Sequence, residues 1–132
     1  MRWKLTRINL VPDQHLIAEY HELPRCIKQP INTSDAPANY TLGKGHMKWA
    51  KKHTIFLLDR YSLLWDELLW RPTYPPSLLI SCAVDNTPER DRNTYLPTEK
   101  DLQVSRERLI MHYKDSLRWT NREKPSYMEK SE

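Results

Sequence analysis

The scarcity of glycine is the feature that most restricts what this chain can fold into. Among 132 residues there are two glycines, Gly43 and Gly45, and ten prolines. Glycine enters left-handed turns without strain, whereas proline ends helices and has no amide to donate to a sheet ladder. The backbone therefore has few places for left-handed turns, and the prolines mark the boundaries between elements. We find no internal repeat.

The first helix is predicted from Asp13, which we expect to cap it, to Pro24, which we expect to end it. The three- and four-residue spacing of apolar side chains defines one buried face, with Leu16, Tyr20 and Leu23. A second face carries His15, Glu19 and Glu22.

Two further helices follow. The longest is predicted from residue 47 to about residue 70, where apolar side chains recur at helical spacing. The last begins at Thr98 and Asp101, a helix-start pattern, and carries apolar side chains as far as Leu117. The string SLLISCAV in the proline-rich connection can form a short extended piece. The sequence therefore predicts a compact all-α single domain, residues 1–132, with three main helices and long irregular connections.

Composition excludes some classes of protein. No apolar run approaches the ~20 residues that span a bilayer, and the N-terminus lacks the apolar core of a secretory signal. The missing apolar run leads us to expect no membrane association. Cys26 and Cys82 stand alone without metal-ligand spacing, and we expect no metal and no cofactor. The net charge of +4 favours a polyanionic partner. We expect a monomer in the cytoplasm of a bacterium or a phage-infected cell.

A group of charged residues surrounds Glu22. Arg25 lies one helical turn further on, His21 is adjacent, and Arg7 is on an arm that a short linker holds near the helix. Such a group suits a phosphate-bearing substrate, because the cations neutralise phosphates and leave the carboxylate for chemistry. The structural alternative is a surface pair between Glu22 and Arg25, worth about 0.3–0.5 kcal/mol.

Three strings carry a resemblance to a known family. TRINLVPDQHLIAEYHELPR at residues 6–25, LGKGHMKW at residues 42–49 and, less closely, YLPTEKDLQVSRERL at residues 95–109 resemble the pyrimidine-dimer DNA glycosylases, the endonuclease V family of phages and algal viruses. The resemblance implies an all-α enzyme that cuts the glycosidic bond of a pyrimidine dimer in double-stranded DNA and then nicks the abasic strand. It also implies a nucleophile, the α-amine of an N-terminal threonine, that forms a Schiff base with the sugar.

The resemblance also implies roles for individual residues. By position, Glu22 matches the family's catalytic glutamate and Thr6 its N-terminal threonine. Arg7 and Arg25 match arginines that contact phosphates or the site, and His21 stands where the family has an arginine. An α-amine, with an ordinary pKa of about 7.7–8.0, suits this chemistry better than a lysine at about 10.4.

The chain departs from the family at the nucleophile. Thr6 follows the five residues MRWKL, so its nitrogen is in a peptide bond. Four explanations are open: the α-amine of Met1 acts instead, translation starts at Leu5 and processing frees Thr6, the side chain of Lys4 acts with a lowered pKa, or the chemistry has been lost. The linker after the arm is shorter than in the family, so Met1 lies about as far along the chain from the predicted catalytic glutamate as the family's threonine does.

Two further groups are candidates for DNA contacts. Lys44, His46 and Lys48 lie at the start of the longest predicted helix, whose N-terminal amides favour a phosphate. The alternatives are a solvated lysine face and a structural histidine. Arg118 and Arg122 lie among aromatic residues of the tail, a pattern used to bind nucleic acids. The tryptophan between them is equally a candidate for the core.

The leading interpretation is a DNA glycosylase with abasic-site lyase activity on damaged or modified bases such as pyrimidine dimers, acting through an amine and Glu22. The alternative is a non-catalytic nucleic-acid-binding protein that retained the scaffold and its cations. Double-stranded DNA is the expected partner in the leading interpretation, and a nucleic acid is the partner in either case.

Overall fold

The part of the chain that the structure describes forms four α-helices. The computed structural model describes residues 5–29, 31–72 and 87–128. The helices are α1 (Asp13–Lys28), α2 (His46–Lys52), α3 (Thr54–Trp70) and α4 (Glu99–Met111), and short 3-10 helices lie at Ile8–Leu10, Glu89–Asp91 and Ser126–Met128. These ranges contain no strand and only one isolated bridge, between His53 and Arg92. The predicted all-α class is confirmed.

Helix α1 is longer than predicted. Its expected apolar face is buried, at Leu16, Tyr20 and Leu23. The prediction that Pro24 ends the helix is wrong, because the helix continues to Lys28 with the proline inside it. The proline removes one helical hydrogen bond. Cys26 and Ile27, which follow it, are buried in the core, and their burial stabilises the last turn.

The single long helix predicted from residue 47 to about residue 70 is two helices, α2 and α3. The break is at His53, whose backbone leaves the helical region with φ −109° and ψ 48° and pairs with Arg92. Its ring Nδ1 donates to the carbonyl of Trp49 at 2.7 Å. Burial lowers the pKa of His53, against the raising effect of that hydrogen bond. Apolar spacing continues across the break, which is why the pattern alone does not reveal it.

One of the two glycines is required by its conformation. Gly45 precedes α2 with φ 89°, and a Cβ there would lie 3.2 Å from the ring of Pro37. A Cβ at Gly43 would make only an ordinary contact with Thr41. Trp49, one turn into α2, is fully buried. It packs against the rings of Tyr40, His46, His53, Phe56 and Tyr95.

Helix α4 begins as predicted. Thr98 Oγ1 accepts from the nitrogen of Asp101 at 3.1 Å, and Asp101 Oδ2 accepts from the nitrogen of Thr98 at 3.0 Å. The helix ends at Met111. Tyr113 and Leu117, whose spacing extended the predicted helix, therefore lie beyond its end.

No helix in the described part of the chain is long and apolar enough to cross a membrane. The extended piece predicted at SLLISCAV, with Cys82, lies outside the described residues. Cys26 is buried in the core.

Candidate nucleic-acid interface

Arg60 holds the N-terminal arm, residues 5–10, against α1. It donates from Nε and Nη2 to the carboxylate of Glu19 at 2.8 and 3.1 Å, and from Nη1 to the carbonyl of Thr6 at 2.8 Å. The side chains of Arg60 and Glu19 are 8% and 2% exposed. Glu19 was predicted to share a face with Glu22, but its charge is already matched by a buried arginine. It is therefore a structural residue.

Arg71 performs the same task at the start of α1. Its fully buried guanidinium donates to Asp13 and Glu67, each at 2.9 Å, and to two carbonyls of the arm at 3.2 Å. Asp13 also accepts from the hydroxyl of Thr120 at 2.5 Å. The prediction that Asp13 caps α1 is wrong: the cap residue is Pro12, and no side chain caps the helix.

Thr6 is held by α4. Its nitrogen donates to Ser105 Oγ at 3.1 Å, and the nitrogen of Leu5 donates to the same atom at 2.7 Å. Because two donors occupy that oxygen, its own proton is directed to Thr6 Oγ1 at 3.0 Å. Thr6 is 6% exposed. Its nitrogen is therefore a buried amide in this chain. Met1 and Lys4, the other candidates for the amine, lie outside the described residues.

Glu22 differs from the other two carboxylates of α1. It is half-buried, whereas Asp13 and Glu19 are buried and paired with arginines. His21 and Arg25 beside it are exposed, and so is Arg7 on the arm. Within about one turn, α1 thus presents a carboxylate, an imidazole and a guanidinium.

A cleft of about 440 Å³, which we call the Arg108 cleft, opens near the start of α1. It is lined by residues of α1, of the end of α4 and of the turn that follows, namely Gln14, His15, Arg108, His112, Lys114, Ser116 and Leu117. None of these lining residues is acidic. The exposed side chain of Arg118 follows directly in the chain.

The side chain of Arg108 favours binding of an anion in this cleft. Its side chain is half-buried and its Nε is fully buried, yet its guanidinium forms no hydrogen bond or ion pair with the part of the chain that the structure describes. Arg60 and Arg71, by contrast, are each matched by a carboxylate. The buried Nε is a donor without a hydrogen-bond partner among the described residues, which costs free energy. An anion that enters the cleft removes this cost.

No protein-family model matches this chain.

The Arg108 cleft and Glu22 lie on the same face of α1. His15 lines the cleft and precedes Glu22 by seven residues, which is two helical turns or about 10.5 Å. The sequence placed both residues on one face but assigned no role to His15, Arg108 or His112. The four-residue spacing of Arg108 and His112 was the available signal. That spacing indicates a site only once the fold brings the end of α4 and the start of α1 to the same cleft.

The turn before α2 is less basic than its sequence suggests. Lys48 donates to both carboxylate oxygens of Asp35 at 2.8 and 2.9 Å, and this interaction lowers the pKa of Asp35. His46 is 1% exposed, and its Nδ1 donates to the carbonyl of Thr41 at 2.6 Å. Lys44 is exposed. His46 is a core residue here, and we leave it out of the proposed DNA contacts.

The tail is packed against the helices. Trp119 is 8% exposed and donates from Nε1 to the carbonyl of Leu10 at 2.8 Å, so it belongs to the core. Arg122 donates to the carboxylate of Glu67 at 2.8 and 2.9 Å. Because its charge is matched within the protein, we do not propose Arg122 as a DNA contact. Arg118 keeps an exposed side chain.

Among the described residues, no group of three or more His, Cys, Asp and Glu side chains is arranged to hold a metal ion. Glu22, its neighbours on α1 and the Arg108 cleft offer a carboxylate, guanidinium and ammonium groups, and imidazoles. These bind phosphates and transfer protons.

Proposed function

We propose that this protein is a DNA-binding base-excision enzyme, a glycosylase with abasic-site lyase activity on damaged or modified bases such as pyrimidine dimers. The observation that carries the proposal is the Arg108 cleft, a basic cleft on the same face of α1 as Glu22, with no acidic side chain among the described residues that line it. Phosphates of one strand bind in the cleft, where Arg108 has no counter-charge from the described residues. Glu22 then acts on a sugar two turns further along the helix.

The chemistry needs an amine and a proton acceptor. The amine attacks C1′ of the damaged nucleotide, the bond from C1′ to the base breaks, and the base leaves with a proton. Opening of the sugar ring gives a Schiff base, and loss of a C2′ proton expels the 3′ phosphate. Glu22 stabilises positive charge at the sugar and accepts protons in these steps.

The amine is supplied by the N-terminal segment, residues 1–6. The nitrogen of Thr6 is a buried amide that donates to Ser105, so it is not a nucleophile in the chain as written. The candidates are the α-amine of Met1, the side chain of Lys4, or a Thr6 amine freed by a start at Leu5. The intact mass of the purified protein separates the last of these from the first two.

A substitution of Glu22 tests the proposal. Glu22→Gln keeps the size of the side chain and removes the carboxylate. We expect nicking of duplexes that contain one pyrimidine dimer or one abasic site to fall about 100-fold or more, with the dissociation constant for the same duplexes changed less than about threefold. Glu123→Gln, at an exposed carboxylate of the tail, is the matched control and should nick normally. Normal nicking by Glu22→Gln contradicts the proposal.

One observation favours a second candidate, a nucleic-acid-binding protein without catalysis. The nitrogen that matches the family's nucleophile is buried against Ser105. This candidate predicts that the unsubstituted protein binds the duplexes and nicks none of them. It also predicts that Glu22→Gln changes neither property.

A further inference from the structure

A second cleft lies on the other side of α4 from Arg108. Its volume is about 390 Å³, and it opens between the N-terminal arm, the exposed side of α4 and the 3-10 helix Ser126–Met128. We call it the Tyr127 cleft. Its walls include Arg7, Leu10, Lys100, Leu102, Arg106 and Tyr127. None of the α4 residues that line the Tyr127 cleft also lines the Arg108 cleft, so the two clefts are separate.

The charges of the Tyr127 cleft favour an anion. Arg7, Lys100 and Arg106 contribute three cations, and Glu99 is the one carboxylate among the described residues that line it. None of the three cations forms an ion pair or a side-chain hydrogen bond with the described part of the chain. Arg106 lies over the ring of Tyr127, with its guanidinium carbon 5.3 Å from the ring centroid. The positive charge is therefore held in the cleft and not neutralised there.

Tyr127 adds a donor that has no acceptor. Its hydroxyl oxygen is buried and forms no hydrogen bond with any described residue. Burial raises the pKa of Tyr127, against the lowering effect of Arg106, so the hydroxyl keeps its proton at neutral pH. A buried donor without a partner costs free energy. A ligand oxygen placed beside it removes that cost.

We propose that the Tyr127 cleft binds a phosphate monoester attached to a nucleoside, either as a free nucleoside monophosphate or as the 5′-phosphate end of a DNA strand. Two guanidinium groups and an ammonium group suit the doubly charged monoester better than the singly charged phosphate inside a strand. Leu10 and Leu102 supply an apolar wall for the sugar and base. The volume lies within the usual range for small-ligand sites, about 300–1,000 Å³. The inference does not depend on the excision chemistry, although β-elimination leaves such a 5′ end.

Calorimetric titration of the full chain tests the ligand class. We expect thymidine 5′-monophosphate to bind at least about tenfold more tightly than thymidine, which lacks the charge, and than inorganic phosphate, which lacks the nucleoside. Equal binding of thymidine and its monophosphate overturns the proposal, and so does equal binding of inorganic phosphate. A 5′-phosphorylated oligonucleotide that binds about tenfold more tightly than its 5′-hydroxyl form identifies a strand end as the ligand. No difference between the two, with the monophosphate still bound, identifies the free nucleotide.

Substitutions test whether the ligand binds in the Tyr127 cleft. Tyr127→Phe removes only the hydroxyl, and Arg106→Gln removes one charge. We expect each to weaken binding of thymidine 5′-monophosphate about tenfold. Arg90→Gln, which removes an equal charge from the exposed 3-10 helix Glu89–Asp91, should bind as the unsubstituted protein does. Thermal unfolding is measured alongside, and Tyr127→Phe should not lower the melting temperature, since its hydroxyl has no hydrogen-bond partner among the described residues. Unchanged affinity in both cleft variants, or an equal loss in Arg90→Gln, contradicts the assignment.

Discussion

At the scale of single residues, surroundings decide what each carboxylate of α1 does. Asp13, Glu19 and Glu22 lie on the same helix, and the first two are buried. Each is held by an arginine that also binds a carbonyl of the arm. These two carboxylates fasten the arm to the helices. Glu22 is half-buried, which leaves it as the α1 carboxylate suited to chemistry.

Removing the carboxylate of Glu19 should be severely destabilising. Glu19→Gln leaves Arg60 buried without a counter-charge, and we expect a loss of about 3–5 kcal/mol in the free energy of unfolding, measured with urea. Glu22→Gln should cost less than about 1 kcal/mol. The double variant Glu19→Leu with Arg60→Met should regain much of the loss, because neither charge remains. A Glu19→Gln protein as stable as the unsubstituted one contradicts this role.

Glu67 connects stability to pH. Burial raises its pKa, but hydrogen bonds from Arg122 and Arg71 outweigh burial, and the pKa is lowered. A carboxyl group with a lower pKa in the folded state stabilises the protein above its unfolded pKa, about 4.3 for glutamate. That stabilisation is lost as the pH falls through the folded pKa.

Urea unfolding at a series of acidic pH values measures this connection. We expect the free energy of unfolding to decrease with falling pH below about 4.3, with a smaller slope in Glu67→Gln. Glu123→Gln, at an exposed carboxylate, should keep the slope of the unsubstituted protein. Equal slopes for Glu67→Gln and the control contradict the role of Glu67.

At the scale of elements, local chemistry predicted where helices begin better than where they end. The capping pair Thr98 and Asp101 is visible in the sequence because both hydrogen bonds are local. The continuation of α1 past Pro24 is not visible in the sequence, because it depends on burial of the following turn in the core. The break at His53 is hidden for a similar reason, because it depends on pairing with Arg92, 39 residues away in the chain.

The cap of α4 offers a direct test. Thr98→Ala removes the acceptor for the nitrogen of Asp101, and we expect it to lower the free energy of unfolding by about 1 kcal/mol. Thr94→Ala makes the same change at an exposed position before the helix and should have little effect. Equal losses in the two variants, measured by urea unfolding, contradict the capping role.

At the scale of the whole molecule, the distribution of charge matters more than its sum. The net charge is +4, but several cations are matched internally, among them Arg60, Arg71 and Arg122. The sequence alone predicted that Glu22, His21 and Arg25 lie close together, because helical spacing brings them together. It did not predict the Arg108 cleft, since that cleft requires α4 and the following turn to pack beside α1. It also did not predict the pairing of Arg122 with Glu67, which is distant in the chain.

Salt dependence tests the role of Arg108 in DNA binding. If Arg108 contacts a phosphate, Arg108→Gln should weaken binding to undamaged and damaged duplexes alike, by about tenfold. The slope of the logarithm of affinity against the logarithm of salt concentration should decrease in magnitude by about 1. Arg90→Gln is the control for a general loss of charge. An unchanged slope in Arg108→Gln removes the cleft from the DNA interface.

We propose that an amine of this chain and Glu22 act together on a DNA sugar. Borohydride reduction of the protein mixed with a duplex that contains an abasic site or a pyrimidine dimer tests it most directly, because reduction fixes a Schiff base as a covalent adduct. We expect an adduct whose peptide map places the DNA on the N-terminal peptide, and a much smaller yield with Glu22→Gln. A protein that binds these duplexes and forms no adduct contradicts the claim.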